Sequence, residues 1–196
     1  MRKSSKVLSL LIQLMVIAYL LIIPGCQQKT CTNETTQSQD SLVDAEQRIK
    51  DLGIQLHAPA PAVANYIPAV RTGNLVFLSG HGPYRPGSGY MTGKVGRDVG
   101  LEEAREAARI TAIDLLSSLK AEIGDLNKVT KIVKVLGVVN CDPSFTDQPK
   151  VINGCSDLLE SIFGKKIGKH ARAAIGITSL YSDIPVEIEM IVEVKD

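Results

Sequence analysis

Two charged residues near the C-terminus carry the chemistry that this chain's residue types and spacing allow. Arg172 opens one apolar run, Ala173 to Leu180, and Glu187 is set into the next, Val186 to Val194. A planar guanidinium bonds both oxygens of a carboxylate at once, which fixes an acid's orientation as well as its charge. A carboxylate beside it can hold or activate a water. On adjacent strands, the pair would keep a small carboxylic acid and a water side by side. The plainer reading pairs Arg172 with Glu187 or Glu189 as a surface ion bridge across a hairpin. His81, in a Gly-rich stretch, is either a ligand contact or a polar loop residue, and His170 reads as a solvated loop histidine. Cys26, Cys31, Cys141 and Cys155 show no CxxC spacing and no nearby paired histidine, so no metal or cofactor is expected. Cys141 and Cys155 read as small core or strand-end residues.

Alternating strands and helices must position these side chains. Tyr66 to Val70 and Leu75 to Ser79 are β-rich runs about a Thr72-Gly73-Asn74 turn. His81 to Arg97 is dense in Gly and Pro and reads as a long loop with at most a short strand. Leu101, Ala104, Ala108, Ala112, Leu115, Leu119 and Ile123 recur at helical spacing, so a helix is expected over Leu101 to Ile123, stopped by Gly124. Val129 to Val139 is β-branched and reads as a strand. Gln148 to Phe163 reads as a second helix with Pro149 in its first turn and Gly164 at its end. In the last run, Val186, Ile188, Met190, Val192 and Val194 fall on one strand face, and Glu187, Glu189, Ile191 and Glu193 on the other. The second face is too acidic for a dry core yet contains Ile191, a composition that suits contact with a partner.

The N-terminus is a separate device. Arg2, Lys3 and Lys6 precede an apolar run from Val7 to Ile23 that ends at Pro24-Gly25-Cys26. That is the order of an export signal over 1–25. A small residue before Cys resembles a lipoprotein signal, with Cys26 as the lipidated residue, although Pro24 departs from the usual pattern; an uncleaved anchor and ordinary cleavage are the alternatives. The lipoprotein reading implies a cell-envelope protein, lipid-anchored to a bacterial membrane and touching it only through that anchor. Gln27 to Asp40 is polar enough to be a flexible tether, and Ser41 to Leu52 suits a short amphipathic helix; 26–57 is taken together as tether and helix. The remainder of the chain, 58–196, is about 140 residues, the size of one domain with one core. A net charge of +1, few aromatics and no Trp give no basis for a nucleic-acid partner.

The order Asp147-Gln148-Pro149-Lys150-Val151-Ile152-Asn153-Gly154, His170-Ala171-Arg172-Ala173-Ala174 and Pro185-Val186-Glu187-Ile188-Glu189 resembles the Rid superfamily (YjgF, or L-PSP endoribonuclease-like). Its best-known members are small trimers that hydrolyse reactive imines. The resemblance covers roughly Ala58 to the C-terminus. It implies a chorismate mutase-like α+β fold, a mixed β-sheet with two helices on one face, in a single domain that assembles as a trimeric barrel with clefts between subunits. It implies that Arg172 grips a substrate carboxylate and that Glu187 positions water. It further implies that Tyr66 on the first strand, Ser79 and Gly80 at the end of the second, and Asn153 at the start of the second helix line the cleft. His81 stands where many members have Gln, and Ala174 where imine-hydrolysing members often have Cys. Gly154 to Leu159 and Gly168 to Arg172 resemble a distinct branch. The activity this resemblance implies is that of an enamine/imine deaminase acting on a small 2-imino or related carboxylic acid. The alternatives are a carboxylate-binding module without chemistry and, more weakly, an endoribonuclease.

Overall fold

The computed structural model describes residues 43–59, 62 and 64–196. The expected signal segment, Cys26 and the Gln27 to Asp40 tether lie outside them. The described elements, in chain order, are α1 (Ala45–Asp51), β1 (Ala69–Thr72), β2 (Leu75–His81), β3 (Tyr84–Arg85), β4 (Gly89–Tyr90), α2 (Leu101–Ile123), β5 (Val129–Asn140), α3 (Gln148–Gly168), β6 (Ala171–Ile177) and β7 (Val186–Val194). Among the described residues no helix is long and apolar enough to cross a membrane.

Five strands form one sheet in the order β1-β2-β7-β5-β6, so β1 and β6 are its edges. β5 and β6 run parallel; the other neighbours are antiparallel. The alternation in β7 decides its two faces. Val186, Ile188, Met190, Val192 and Val194 are buried, and the residues between them are not. The buried row meets α2, whose Ala104, Ala108, Ala112, Leu115, Leu119 and Ile123 form the expected stripe. Each Val, Ile, Leu or Met taken out of water in this layer contributes ~1.5–3 kcal/mol before ordering entropy is charged against it. The result is the expected α+β architecture, a mixed sheet with α2 and α3 on one face, and the short α1 added at their ends.

Gly154 sets how closely α2 and α3 approach. A Cβ there would stand 1.9 Å from the Arg105 carbonyl oxygen, so only a glycine fits the crossing. This places the N-terminal half of α3, with Asn153 and Ser156, against the β5–β6 end of the sheet. α3 breaks where Gly164 adopts φ 73°, the expected stop, and then resumes for one turn to Gly168. Arg48 of α1 donates to Ser161 O and Ile162 O at 3.4 and 3.3 Å, bonding carbonyls next to the break.

Other boundaries differ from the sequence reading. β1 starts at Ala69 rather than Tyr66. Pro68 has no N–H for the ladder, though its carbonyl accepts from Ser79 N at 3.0 Å, so Tyr66 and Ile67 stay off the strand. β6 covers Ala171–Ile177, and beyond it Lys94 Nζ bonds Thr178 O and turns the chain away from the sheet. The Gly/Pro-rich segment, read as a long loop with at most a short strand, holds a small two-stranded hairpin, β3–β4. At the end of β2 the register with β7 slips between Leu78 and His81, so Ser79 and Gly80 both fall in a bulge.

Candidate functional site

The structure distributes the candidate residues over two clusters. The first lies where α3 meets the edge strand β6. Ala174 faces Gly137 and Arg172 faces Val135 across the β5–β6 pairing, so Arg172 shares the helix side of the sheet with the buried Val135. Its guanidinium reaches α3: Nη1 donates to Asn153 Oδ1 at 2.8 Å and to Ser156 Oγ at 3.0 Å, and Nη2 to Pro149 O at 3.4 Å. Asn153 and Ser156 are three residues apart and so project from the same side of the helix. They hold the guanidinium from behind and leave Arg172 exposed. An open depression of about 230 Å³ adjoins it, lined by Ser156, Asp157, Glu160, Lys169, His170 and Arg172. His170 is half-buried rather than solvated: its Nδ1 lies 2.7 Å from Gly168 O and its Nε2 3.1 Å from Ser156 Oγ. Burial, then the Arg172 and Lys131 charges, outweigh the Gly168 bond and hold its pKa below the ordinary 6.5, so it is neutral at pH 7. Cys155, behind Arg172, is fully buried, and burial pushes its thiol up to about 12; Cys141 is also a buried free thiol. Both are core residues, as expected, and a raised pKa keeps Cys155 a thiol at neutral pH.

The second cluster lies at the end of β2 under the loop between β6 and β7. Glu187 stands over the bulge: a Cβ on Gly80 would come within 2.4 Å of Glu187 Oε1. Burial, then the neighbouring Glu189, raise the Glu187 pKa above the usual carboxylate range. Tyr66, Ser79, Gly80, His81, Tyr90 and Tyr181 line a narrow crevice there. Tyr66 comes from the segment before β1 and is exposed. His81 is a strand residue, not a loop residue, and both its ring nitrogens are engaged. The bulge turns it to the helix side, where it is buried; its Nδ1–H donates to Ser79 O and its Nε2 accepts from Ser118 of α2, both at 2.7 Å. The carbonyl can only accept, which sets the tautomer.

Tyr181 and Ser156 were not singled out in the sequence. Tyr181 sits on a short turn in which Ser182 and Asp183 take φ of 51° and 54°. Such backbone costs about 1–3 kcal/mol per residue and persists only where the surroundings over-determine it. Here buried Asn140 donates to Asp183 Oδ1 at 2.9 Å and accepts from Lys94 Nζ at 2.7 Å, while Gly93 N donates to Asp183 O at 2.7 Å. The lashed turn sets Tyr181 edge-on to Tyr90, with ring centres 5.8 Å apart. Burial first, then the bond to Tyr90 and the charge of Glu187, raise the Tyr181 hydroxyl, which stays a neutral donor. Only the polar Ser182-Asp183 pair hinted at this turn. Ser156 was readable from its i+3 relation to Asn153.

Arg172 and Glu187 do not stand on adjacent strands. β5 lies between β6 and β7, and Glu187 is level with Val138 and Ile175, three residues along from Arg172. Arg172 is on the helix side of the sheet and Glu187 on the open side, so they are not ion-paired either; the bonds of Arg172 go to α3. The open side also carries Ile175, exposed by 46%, and, around a hollow of about 450 Å³ lined further by Leu136, Glu189 and Ile191, the side chains of Val70 and Phe77, exposed by 50% and 41%. No three or more His, Cys, Asp or Glu side chains among the described residues are grouped to hold a metal.

Comparison with known proteins finds relatives of this fold. The family model for YjgF/chorismate mutase-like endoribonucleases matches residues 46–183. Protein TCP17 of Trypanosoma cruzi is 39% identical over 148 residues, covering 76% of this chain and 92% of its own. Protein Atu1372 of Agrobacterium tumefaciens has a crystal structure that superposes with a TM-score of 0.71 at 41% identity, covering 77% of this chain and 92% of that one. A candidate endoribonuclease of Shewanella oneidensis superposes at 0.73 with 29% identity, over 76% and 99% of the two chains.

Proposed function

Because the chain belongs to the YjgF/chorismate mutase-like family, and so to the Rid superfamily, we propose that it hydrolyses a small 2-imino or related carboxylic acid at a cleft between subunits of a homotrimer. The observation that carries this is the guanidinium of Arg172, backed by Asn153 and Ser156 with an open depression beside it. One subunit's Arg172 cluster would face a neighbour's Glu187 cluster, since the two lie on opposite sides of one sheet. The 2-imino acid docks its carboxylate on Arg172. Glu187, ionised, takes a proton from water as the water oxygen bonds to the C=N carbon. The adduct then collapses, the C–N bond breaks, ammonia leaves with the protons, and a 2-keto acid remains. Such imines already hydrolyse in water, so holding water and substrate together supplies much of the gain. Burial and the neighbouring Glu189 make Glu187 a stronger base than a free carboxylate, with the neutral Tyr181 hydroxyl nearby.

A second reading, capture of a small carboxylate without chemistry, is favoured by the N-terminal order. Arg2 to Cys26 would carry the domain out of the cytosol, where pyridoxal-phosphate enzymes make reactive imines. We propose accordingly that Cys26 is lipidated and anchors the chain to the cell envelope. Fatty-acid labelling of the full chain should vanish in Cys26→Ser; retained label would refute the anchor. Endoribonuclease action, named in the family description, has less behind it, since a net charge of +1 gives little hold on a phosphate backbone.

The test is loss of an imino acid generated in situ, with calorimetric binding of 2-ketobutyrate in parallel. Arg172→Ala should lose binding, at a cost of about 2–5 kcal/mol, because a desolvated carboxylate loses its bidentate partner. Arg172→Lys should restore only part, lacking the planar fork. Glu187→Gln should bind but hydrolyse slowly. Equal binding by wild type and Arg172→Ala would overturn the site. Binding with no rate change in Glu187→Gln would favour the capture reading.

A further inference from the structure

Arg172 is held through Ser156 by a histidine, and that link has a direction. His170 Nδ1 faces the Gly168 carbonyl at 2.7 Å, which can only accept, so the neutral ring carries its proton on Nδ1. Its Nε2 then accepts the Ser156 hydroxyl hydrogen across 3.1 Å. With that hydrogen committed, Ser156 Oγ presents lone pairs to Arg172 Nη1 at 3.0 Å. If His170 gains a proton, the order reverses: Nε2–H donates to Ser156 Oγ, and the serine O–H is released toward the open depression that Ser156, His170 and Arg172 share. A further positive charge then adjoins the same space.

We propose that Ser156 and His170 form a proton-operated donor for the carboxylate on Arg172, so that ligand binding takes up a proton at His170 and the released serine hydroxyl becomes a further contact to the acid. The proposal rests on the reading of Arg172 as the carboxylate anchor. The charges facing His170 decide its sense. Arg172 on β6, Lys131 on β5 and the preceding Lys169 oppose protonation; Asp157 and Glu160 on α3 line the same depression and favour it, with Asp157 already engaged by Arg105 at 2.7 Å. In the empty site the cations and burial prevail, and the ring is neutral. A bound carboxylate neutralises Arg172 and stands beside His170, which raises the ring's pKa. Affinity therefore increases as pH falls through the pKa of the liganded state and levels off below that of the empty state.

The experiment uses the full chain with 15N-labelled histidines. Its three histidines are assigned by the signal lost in His170→Gln. Without ligand, Arg172→Ala and Ser156→Ala should each raise the His170 titration midpoint, the first by removing a cation and the second by removing the donor that favours the neutral ring. With 2-ketobutyrate, wild-type affinity should rise about tenfold from pH 8 to pH 5.5, with net proton uptake seen by calorimetry in buffers of different ionisation heat. His170→Gln, whose amide keeps a partner for Ser156 but does not titrate, should show no rise in affinity as pH falls. A purely structural histidine would not give that split. A His170 midpoint unmoved by Arg172→Ala overturns the network. Binding by wild type that is as pH-flat as His170→Gln overturns the donor while leaving Arg172 as the anchor. No binding at any pH, with the His170 shift present in Arg172→Ala, overturns the carboxylate reading and the donor with it.

Discussion

Glu187 and Gly80 form a unit whose chemistry and stability are separable. A Cβ on residue 80 would meet the Glu187 side chain, most closely its Oε1 at 2.4 Å. That end can swing away, so Gly80→Ala should move the melting temperature little. The carboxylate would lose its place above the bulge, and imine hydrolysis should fall by at least about tenfold, or ~1.4 kcal/mol of barrier. Melting and turnover measured on one preparation check both halves. The pH profile carries the same signature. Burial and Glu189 raise the Glu187 pKa, and the base must be ionised to take water's proton. The rate should therefore drop as pH falls through a midpoint above the 4.5 ordinary for glutamate. A profile flat through that range, or one unchanged in Glu187→Gln, would remove Glu187 from the role of base. Arg172, Glu187, Asn153, Ser79 and Gly80 were all legible as site candidates in the sequence. What was not legible was that His81 faces inward, because a two-residue bulge is invisible to a strict alternation of faces.

At the scale of elements, the α2–α3 crossing is the point where one methyl group matters most. Gly154→Ala would drive Cβ into the Arg105 carbonyl, a backbone atom that cannot swing aside. The helices must part, and overpacking of this kind costs roughly 1–3 kcal/mol or more. For a domain of this size that is a fall of about 4–12 °C in Tm, readable by thermal melting; an unchanged Tm would mean that the helices are less tightly seated than they stand here. The same parting would displace Asn153 and Ser156, so ligand binding should weaken with stability. α2 and β7 were readable to the residue, because a helical stripe with a Gly stop and a strict alternation leave little choice of register. Ends set by tertiary contacts were not. Lys94 terminates β6, Pro68 delays β1, and Arg48 lets α3 continue past Gly164; in each case the deciding partner is at least ten residues away in sequence or lacks a pattern of its own. The adjacency of β6 and β7 was misjudged for a related reason: periodicity assigns faces within a strand and says nothing about which strand lies beside it.

For the whole molecule, the open side of the sheet is the feature that asks for company. Val70 and Phe77 are exposed there beside Ile191, and contiguous apolar surface of this kind marks an interface. The proposed homotrimer covers it. Light scattering at micromolar concentration should give three times the mass of one chain, and Ile191→Asp should shift it toward one, because association would bury a charge without a partner. A monomeric wild type at that concentration would leave the two half-sites with nothing to complete them. Among the described residues the sheet ends in two edges, β1 and β6, which carry a consequence for how the protein is recovered from denaturant. An open edge offers its backbone to any strand that reaches it, correct partner or not. In very dilute solution, single chains would linger with both edges bare; in concentrated solution, wrong pairings would outrun right ones and precipitate. The yield of active protein on refolding should therefore pass through a maximum at an intermediate chain concentration.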